Sequence, residues 1–193
     1  MNEQLTSLPY DKIAQEVKSS RRTDRHFEVY KDLFGFTDND LKNKTILDIG
    51  AGDSGFTIEA AKIAKRVIRL DSDYSNRSPE YKSDAITAIA QELPFRDDTF
   101  DETLASVSLY WIKTGLNEAL SEMIRVTKPE GKIRIYPAFL RVGQMAQYSQ
   151  STRLAYVGKH KSLSPTLVIT KNPSYKPSDW KNEVSNILAC VDL

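Results

Sequence analysis

A chain of 193 residues with 40% hydrophobic and 27% charged residues is long enough for one domain with a buried core and ordinary in composition for a soluble protein. The net charge of +1 gives none of the global basic field of a dedicated nucleic-acid binder, and the single cysteine, Cys190, leaves no intrachain disulfide and no thiolate zinc cluster. With only His26 and His160 no histidine metal site is expected; with neither a membrane-length apolar run nor a signal-peptide pattern at Met1-Asn2-Glu3-Gln4, no membrane partner and a cytoplasmic setting are expected.

Residues 1–44 read as helical. Tyr10, Ile13, Ala14 and Val17 share one helix face, and Phe27, Tyr30 and Phe34 mark a second helix that Gly35 can end. Between them, Arg21-Arg22-Thr23-Asp24-Arg25-His26 is a cationic cluster, favoured as a solvated corner, with a lid over an anionic ligand as the alternative.

Thr45 to Ile49 is a buried strand that breaks into Gly50-x-Gly52-x-x-Gly55 and opens a helix over about residues 56–64, whose Ala60, Ala61 and Ala64 allow close packing on a sheet. A second strand, residues 66–71, ends in Asp71. Residues 72–83 read as loop, and residues 85–90 as a third strand, with helix nearly as compatible. The turn-rich run Leu93-Pro94-Phe95 to Phe100-Asp101 precedes a fourth strand near residues 102–106. Leu116, Ala119, Leu120, Met123 and Ile124 mark an amphipathic helix closed by Lys128-Pro129-Glu130-Gly131, and residues 132–136 form a fifth strand.

Residues 153–157 and 166–170 read as a hairpin around Pro165. Beyond it, Ser178 can cap a last helix with the stripe Trp180, Val184, Ile187, Leu188 and Val191. Alternating strands and helices predict an α/β sheet, mostly parallel.

The glycine pattern with Asp71, 19 residues after Gly52, satisfies the dinucleotide fingerprint, so a nicotinamide cofactor is a live option on these features. Three features point elsewhere. Asp48 puts a carboxylate inside the first strand, badly placed for a pyrophosphate and well placed for an ammonium group. The loop Ala90-Gln91-Glu92-Leu93-Pro94-Phe95 with Phe100-Asp101 is a distinct signature, and the closing strand pair is unusual for a dinucleotide domain.

In that order, Ile46-Leu47-Asp48-Ile49-Gly50-Ala51-Gly52, Asp71, Leu93-Pro94-Phe95 with Phe100-Asp101, and Arg125-Val126-Thr127-Lys128-Pro129-Glu130-Gly131, the chain resembles the class I S-adenosylmethionine-dependent methyltransferases over about residues 45–137. The resemblance implies an α/β three-layer sandwich, a Rossmann-like seven-stranded sheet, mostly parallel, with an antiparallel last strand at 166–170. It implies one domain: N-terminal helices (1–44) as a lid or extension, a core (45–171) and a C-terminal helical tail (172–193). It implies S-adenosyl-L-methionine as cofactor and S-adenosyl-L-homocysteine as product. By the same likeness, Asp48 with Gly50, Ala51 and Gly52 would hold the methionine part, Asp71 and Ser72 the ribose, Ala90 and Gln91 the adenine, with Ser106 beneath the methionine. Ile89 departs from the acidic residue that relatives often place there.

The family chemistry is in-line displacement at an activated methyl, in which the protein aligns, excludes water and stabilises charge, and a base is needed only for a protonated acceptor. Ser106-Val107-Ser108-Leu109-Tyr110-Trp111 lacks the Pro-Pro-aromatic signature of exocyclic amino methylation of bases. Tyr110 and Trp111 are the substrate-side candidates, with packing under the next helix as the bland reading, and His26 and Tyr10 join them only if the N-terminal helices fold over the site. A small-molecule acceptor is expected. The alternatives are methylation of RNA or protein, motivated by Arg21, Arg22 and Arg25 and by Lys159-His160-Lys161, and a non-catalytic cofactor-binding scaffold.

Overall fold

The computed structural model describes residues 26–53, 55–74, 84–140, 152–155, 166–174, 182, 184–185, 187–188 and 191–192. Tyr10, the Arg21 to Arg25 cluster, Trp180 and Lys159-His160-Lys161 lie outside them.

Strands β1 (Thr45–Ile49), β2 (Arg66–Asp71), β3 (Ala85–Thr87), β4 (Phe100–Ser106) and β5 (Thr127–Tyr136) run parallel to their neighbours. A short β6 (Phe139–Leu140) follows, then β7 (Thr152–Ala155) and β8 (Thr166–Thr170). The main sheet has the order β3-β2-β1-β4-β5-β8-β7, and β8 is antiparallel to both β5 and β7. The inverted strand and the closing hairpin therefore stand where the sequence put them. Chain order reverses between β1 and β4, which creates a crevice beyond their carboxyl ends, the place where open α/β sheets bind ligands.

The described helices include α1 (Phe27–Phe34), α2 (Asp38–Leu41), α3 (Phe56–Ala60) and α4 (Leu116–Val126). Side chains alternate along β1, so Ile46 faces one layer and Leu47 and Ile49 the other. On the first face Tyr30, Phe34 and Phe36 of the α1 region enclose Phe56, with Tyr30 stacked on Phe56 at 4.4 Å between ring centroids. On the second face Ala119, Leu120, Met123 and Ile124 of α4 pack with Val184 and Ile187 of the C-terminal segment. Each layer removes apolar area from water, which is the main force holding the sandwich.

Local chemistry explains the ends of α1. Gly35 takes φ +66° and its N–H donates to the Lys31 carbonyl, the left-handed stop read from the sequence. Arg134 on β5 donates to the Phe34 carbonyl at 2.7 Å and, through Nε, to Glu102 on β4 at 3.0 Å. Burial pushes the Glu102 carboxyl up and the Arg134 charge opposes it.

Several boundaries differ from the sequence reading. The helix after the glycines is shorter, ending at Ala60 with looser turns through Ala64, and β3 stops at Thr87. Within the stretch read as helical up to residue 44, a further short helix spans Asp38–Leu41, where Thr37 and Asp40 form a capping box. Lys128-Pro129-Glu130-Gly131 lies inside β5 as an irregularity: Thr127 pairs with Phe100, and Lys132 pairs with Glu102. A proline lacks the N–H for a regular ladder, so the strand bulges around it, and a Cβ on Gly131 would stand 2.8 Å from the Lys128 carbonyl. Val191 belongs to a short strand β9 (Val191–Asp192), paired with β6, rather than to the last helix stripe.

Candidate cofactor and acceptor site

The crevice is set by how closely β1 and β4 end. Gly50 follows β1 at φ +65°, and a Cβ there would lie 2.2 Å from the Ser108 Cβ. Any side chain would force the two strand ends apart, so this glycine is required by close approach as well as by its dihedral. Val107, next to the end of β4, adopts φ +62°. For a β-branched residue that is a strained conformation, costing of order 1–3 kcal/mol. It turns the chain so that Ser108 sits against Gly50, with its buried Oγ lacking any hydrogen-bond partner in the structure.

Asp71, at the end of β2, is the hub of the opposite wall. Its Oδ2 accepts from the Gly52 N–H at 3.0 Å and its Oδ1 from the Asp73 N–H at 3.0 Å. Tyr74 donates its hydroxyl to the Gly52 carbonyl at 2.7 Å. The Gly50 and Ala51 N–H groups both donate to the Leu70 carbonyl. The glycine turn thus spends its amides within the protein, and what it presents outward is proximity. Each Asp71 oxygen retains a second lone pair, so two further donors can be accepted.

Between these walls lies a cavity of about 440 Å³. Of the residues singled out in the sequence, Gly50, Asp71, Ser72, Ala90, Gln91 and Trp111 line it. Asp48, Ala51 and Ser106 are buried beneath and do not line it. Asp48 is fully buried and accepts from the Tyr30 hydroxyl at 3.3 Å, which ties α1 to the floor of the site. Gly52 is off the lining, and its N–H donates to Asp71. Tyr110 packs edge-on against Trp111 at 5.4 Å, and His26 lies exposed at the start of α1, not in the lining.

Residues missed by sequence reasoning are Ser108, Leu109, Ile112, Lys113 and Thr114, all in the segment between β4 and α4. No sequence signal marked them, because their placement follows from the Val107 turn. Gln91 is held rather than free: its Nε2 donates to the Thr114 carbonyl at 3.1 Å, and its side chain fills the space beside Gly115.

The loop signature downstream is a structural clamp. Arg125 of α4 donates to the Leu93 and Phe95 carbonyls at 3.0 and 2.8 Å and pairs with Glu122 and Asp97. The Glu122 carboxyl is held below its usual range, chiefly by that Arg125 hydrogen bond. Asp101 accepts from the Thr45 N–H and pairs with Lys128; these outweigh its burial and hold its carboxyl down. Among the described residues no helix is long and apolar enough to cross a membrane, and no cluster of three or more His, Cys, Asp or Glu fits a metal ion.

The model of a methyltransferase domain matches residues 47–135. The mitochondrial arginine-hydroxylase NDUFAF5 of Danio rerio is 30% identical over 132 residues, covering 66% of this chain and 37% of that protein. The demethylmenaquinone methyltransferase of Renibacterium salmoninarum is 31% identical over 130 residues, covering 64% and 52%. The malonyl-[acyl-carrier protein] O-methyltransferase of Buchnera aphidicola is 32% identical over 98 residues, covering 47% and 38%. The chain spans roughly a third to a half of the length of these curated relatives. A solved structure from Methanococcus maripaludis, provisionally assigned as an S-adenosyl-L-methionine-dependent methyltransferase, matches 91% of this chain and 99% of that one with TM-score 0.53 at 16% identity, a likeness of fold. With the glycine turn and Asp71 bordering one crevice, residues 47–135 form a methyltransferase domain, and the chain resembles the class I S-adenosylmethionine-dependent methyltransferases in fold.

Proposed function

We propose that the protein is an S-adenosylmethionine-dependent methyltransferase acting on a small-molecule acceptor. The observation that carries this reading is Asp71: a carboxylate at a strand end, fixed by two backbone N–H groups, facing a cavity at the sheet's switch point with acceptor capacity left over. That capacity suits a ribose diol. Gly50 and the unpartnered Ser108 Oγ, in contact across the ends of β1 and β4, would form the cavity floor against which the cofactor lies. Ser72, Ala90 and Gln91 would flank the sugar and the base. Gly52 acts by orienting Asp71. The buried Asp48 and Ser106 would set the field under the methionine moiety, with Ala51 closing the turn.

When bound, the cofactor supplies an already activated sulfonium methyl. The chain's own contribution is to hold donor and acceptor in line, to exclude water at the Gly50–Ser108 contact and to present Trp111 and Tyr110 to the acceptor. A small acceptor is supported by near-neutral net charge and by the relatives named for demethylmenaquinone and for malonyl-acyl-carrier protein. The relative named as an arginine hydroxylase supports a second reading, a cofactor-binding domain whose chemistry is not methyl transfer.

Calorimetry with S-adenosylhomocysteine and transfer of labelled methyl to fractionated cell extract decide between them. Binding with label in the small-molecule fraction is the expected result. Binding without transfer to any fraction favours the second reading, label in RNA or protein overturns the small-molecule acceptor, and no binding sinks both readings.

A further inference from the structure

The five large hydrophobic side chains most exposed among the described residues are Val29, Ile58, Ile89, Tyr110 and Trp111, and three of them gather at one place. Ile89 and Trp111, each 50% exposed, line the cavity, and Tyr110 packs edge-on against Trp111. Large apolar side chains left in water together at the rim of a cavity mark a surface that something apolar covers. Beside Trp111 the same lining carries Lys113, its one cation. Lys113 is exposed and has no ion pair and no hydrogen bond among the described residues.

We propose that the acceptor bound at this mouth is an amphipathic anion, its apolar body laid against Trp111 and Tyr110 and its negative group met by Lys113. This rests on the methyltransferase reading of the site and names the class of molecule it receives. The chemistry is complementary in both parts. Apolar surface covers the exposed rings, and an anion supplies the countercharge that no protein carboxylate gives Lys113. Asp71, the lining's only carboxylate, sits on the β2 wall and keeps the acceptor's charge away from the cofactor end. A nucleic acid also stacks on aromatic rings, but it needs a track of cations along its backbone, and this lining offers one.

The test uses three ten-carbon probes that differ only in head group, decanoate, decanol and decyltrimethylammonium, kept below self-association. Trp180→Phe leaves Trp111 as the sole tryptophan, so its fluorescence reports occupancy of the mouth; calorimetry of decanoate with the native chain covers a W180F protein that does not fold. Decanoate should bind most tightly, with decyltrimethylammonium weaker by about fivefold or more, and Lys113→Glu should reverse that order. Lys113→Gln should level decanoate with decanol. S-adenosylhomocysteine affinity, measured on the same proteins, should stay within about threefold in K113E.

Equal binding of the three probes, or no probe binding while S-adenosylhomocysteine still binds, overturns the inference and leaves the methyltransferase reading standing. A K113E protein that loses S-adenosylhomocysteine assigns Lys113 to the cofactor and also overturns it. Displacement of decanoate by a single-stranded oligoribonucleotide, with a steep salt dependence, transfers the surface to nucleic acid.

Discussion

Along the β2 wall of the cavity, Asp71 accepts two backbone N–H groups and Tyr74 closes on the Gly52 carbonyl; along the β4 wall, Trp111 stands half in water and Lys113 has no hydrogen bond or ion pair among the described residues. The first wall is wired to itself, so its geometry is set before any ligand arrives. The second is short of contacts, so a ligand can supply them. Preorganisation on one side and unspent surface on the other is what a site needs when it always takes the same cofactor and draws its specificity from the acceptor.

The comparison breaks first at the contact between the walls. Gly50→Ala puts a Cβ against Ser108 and strains a positive φ; it should cost about 3 kcal/mol in urea unfolding and abolish S-adenosylhomocysteine binding. Asp71→Ala removes a charged acceptor from the wired wall. Cofactor affinity should fall by about 30-fold, the equivalent of roughly 2 kcal/mol, in calorimetry with S-adenosylhomocysteine. Arg125→Met frees the Leu93 and Phe95 carbonyls and should lower stability by about 1.5 kcal/mol, with faster amide exchange in the 93–99 segment.

The wired carboxylates also set the acid limb. Glu122 and Asp101 have folded pKa values below their unfolded ones, so their contribution is complete above the ordinary carboxylate range, about pH 4, and is lost as pH falls through the depressed values. Glu102 is raised, so its contribution has the opposite sign: it is present at low pH and lost as pH rises through the raised value. Glu122→Gln should therefore flatten the loss of stability below about pH 4, and Glu102→Gln should steepen it, both read by thermal melting across pH.

The smallest expected effect on stability gives the sharpest contrast. Trp111→Ala removes a half-exposed ring and should change stability by no more than about 0.5 kcal/mol, with S-adenosylhomocysteine binding kept. Methyl transfer to the accepting extract fraction should fall by at least tenfold on the order of one lost apolar anchor. A normal rate in W111A would mean that the exposed wall is not where the acceptor sits.

The sequence by itself determined the elements whose signals are local. Short apolar runs marked β1 and β2, Gly35 marked the stop of α1, and the stripe from Leu116 to Ile124 marked α4, because each depends on neighbours within a few residues. It also marked Asp71 and Gly50, whose residue types are demanded by a strand end and a tight turn. Only the tertiary structure decided that Leu93-Pro94-Phe95 is a strap held by Arg125, that Asp48 lies under Tyr30 and off the cavity, and that Lys128-Pro129-Glu130-Gly131 is a bulge within β5. These are pairings across 18 to 32 residues of chain, invisible to any local pattern. The β4 wall belongs with them: a strained Val107 re-aims the chain after β4, and that turn brings Ser108, Trp111 and Lys113 to the cavity.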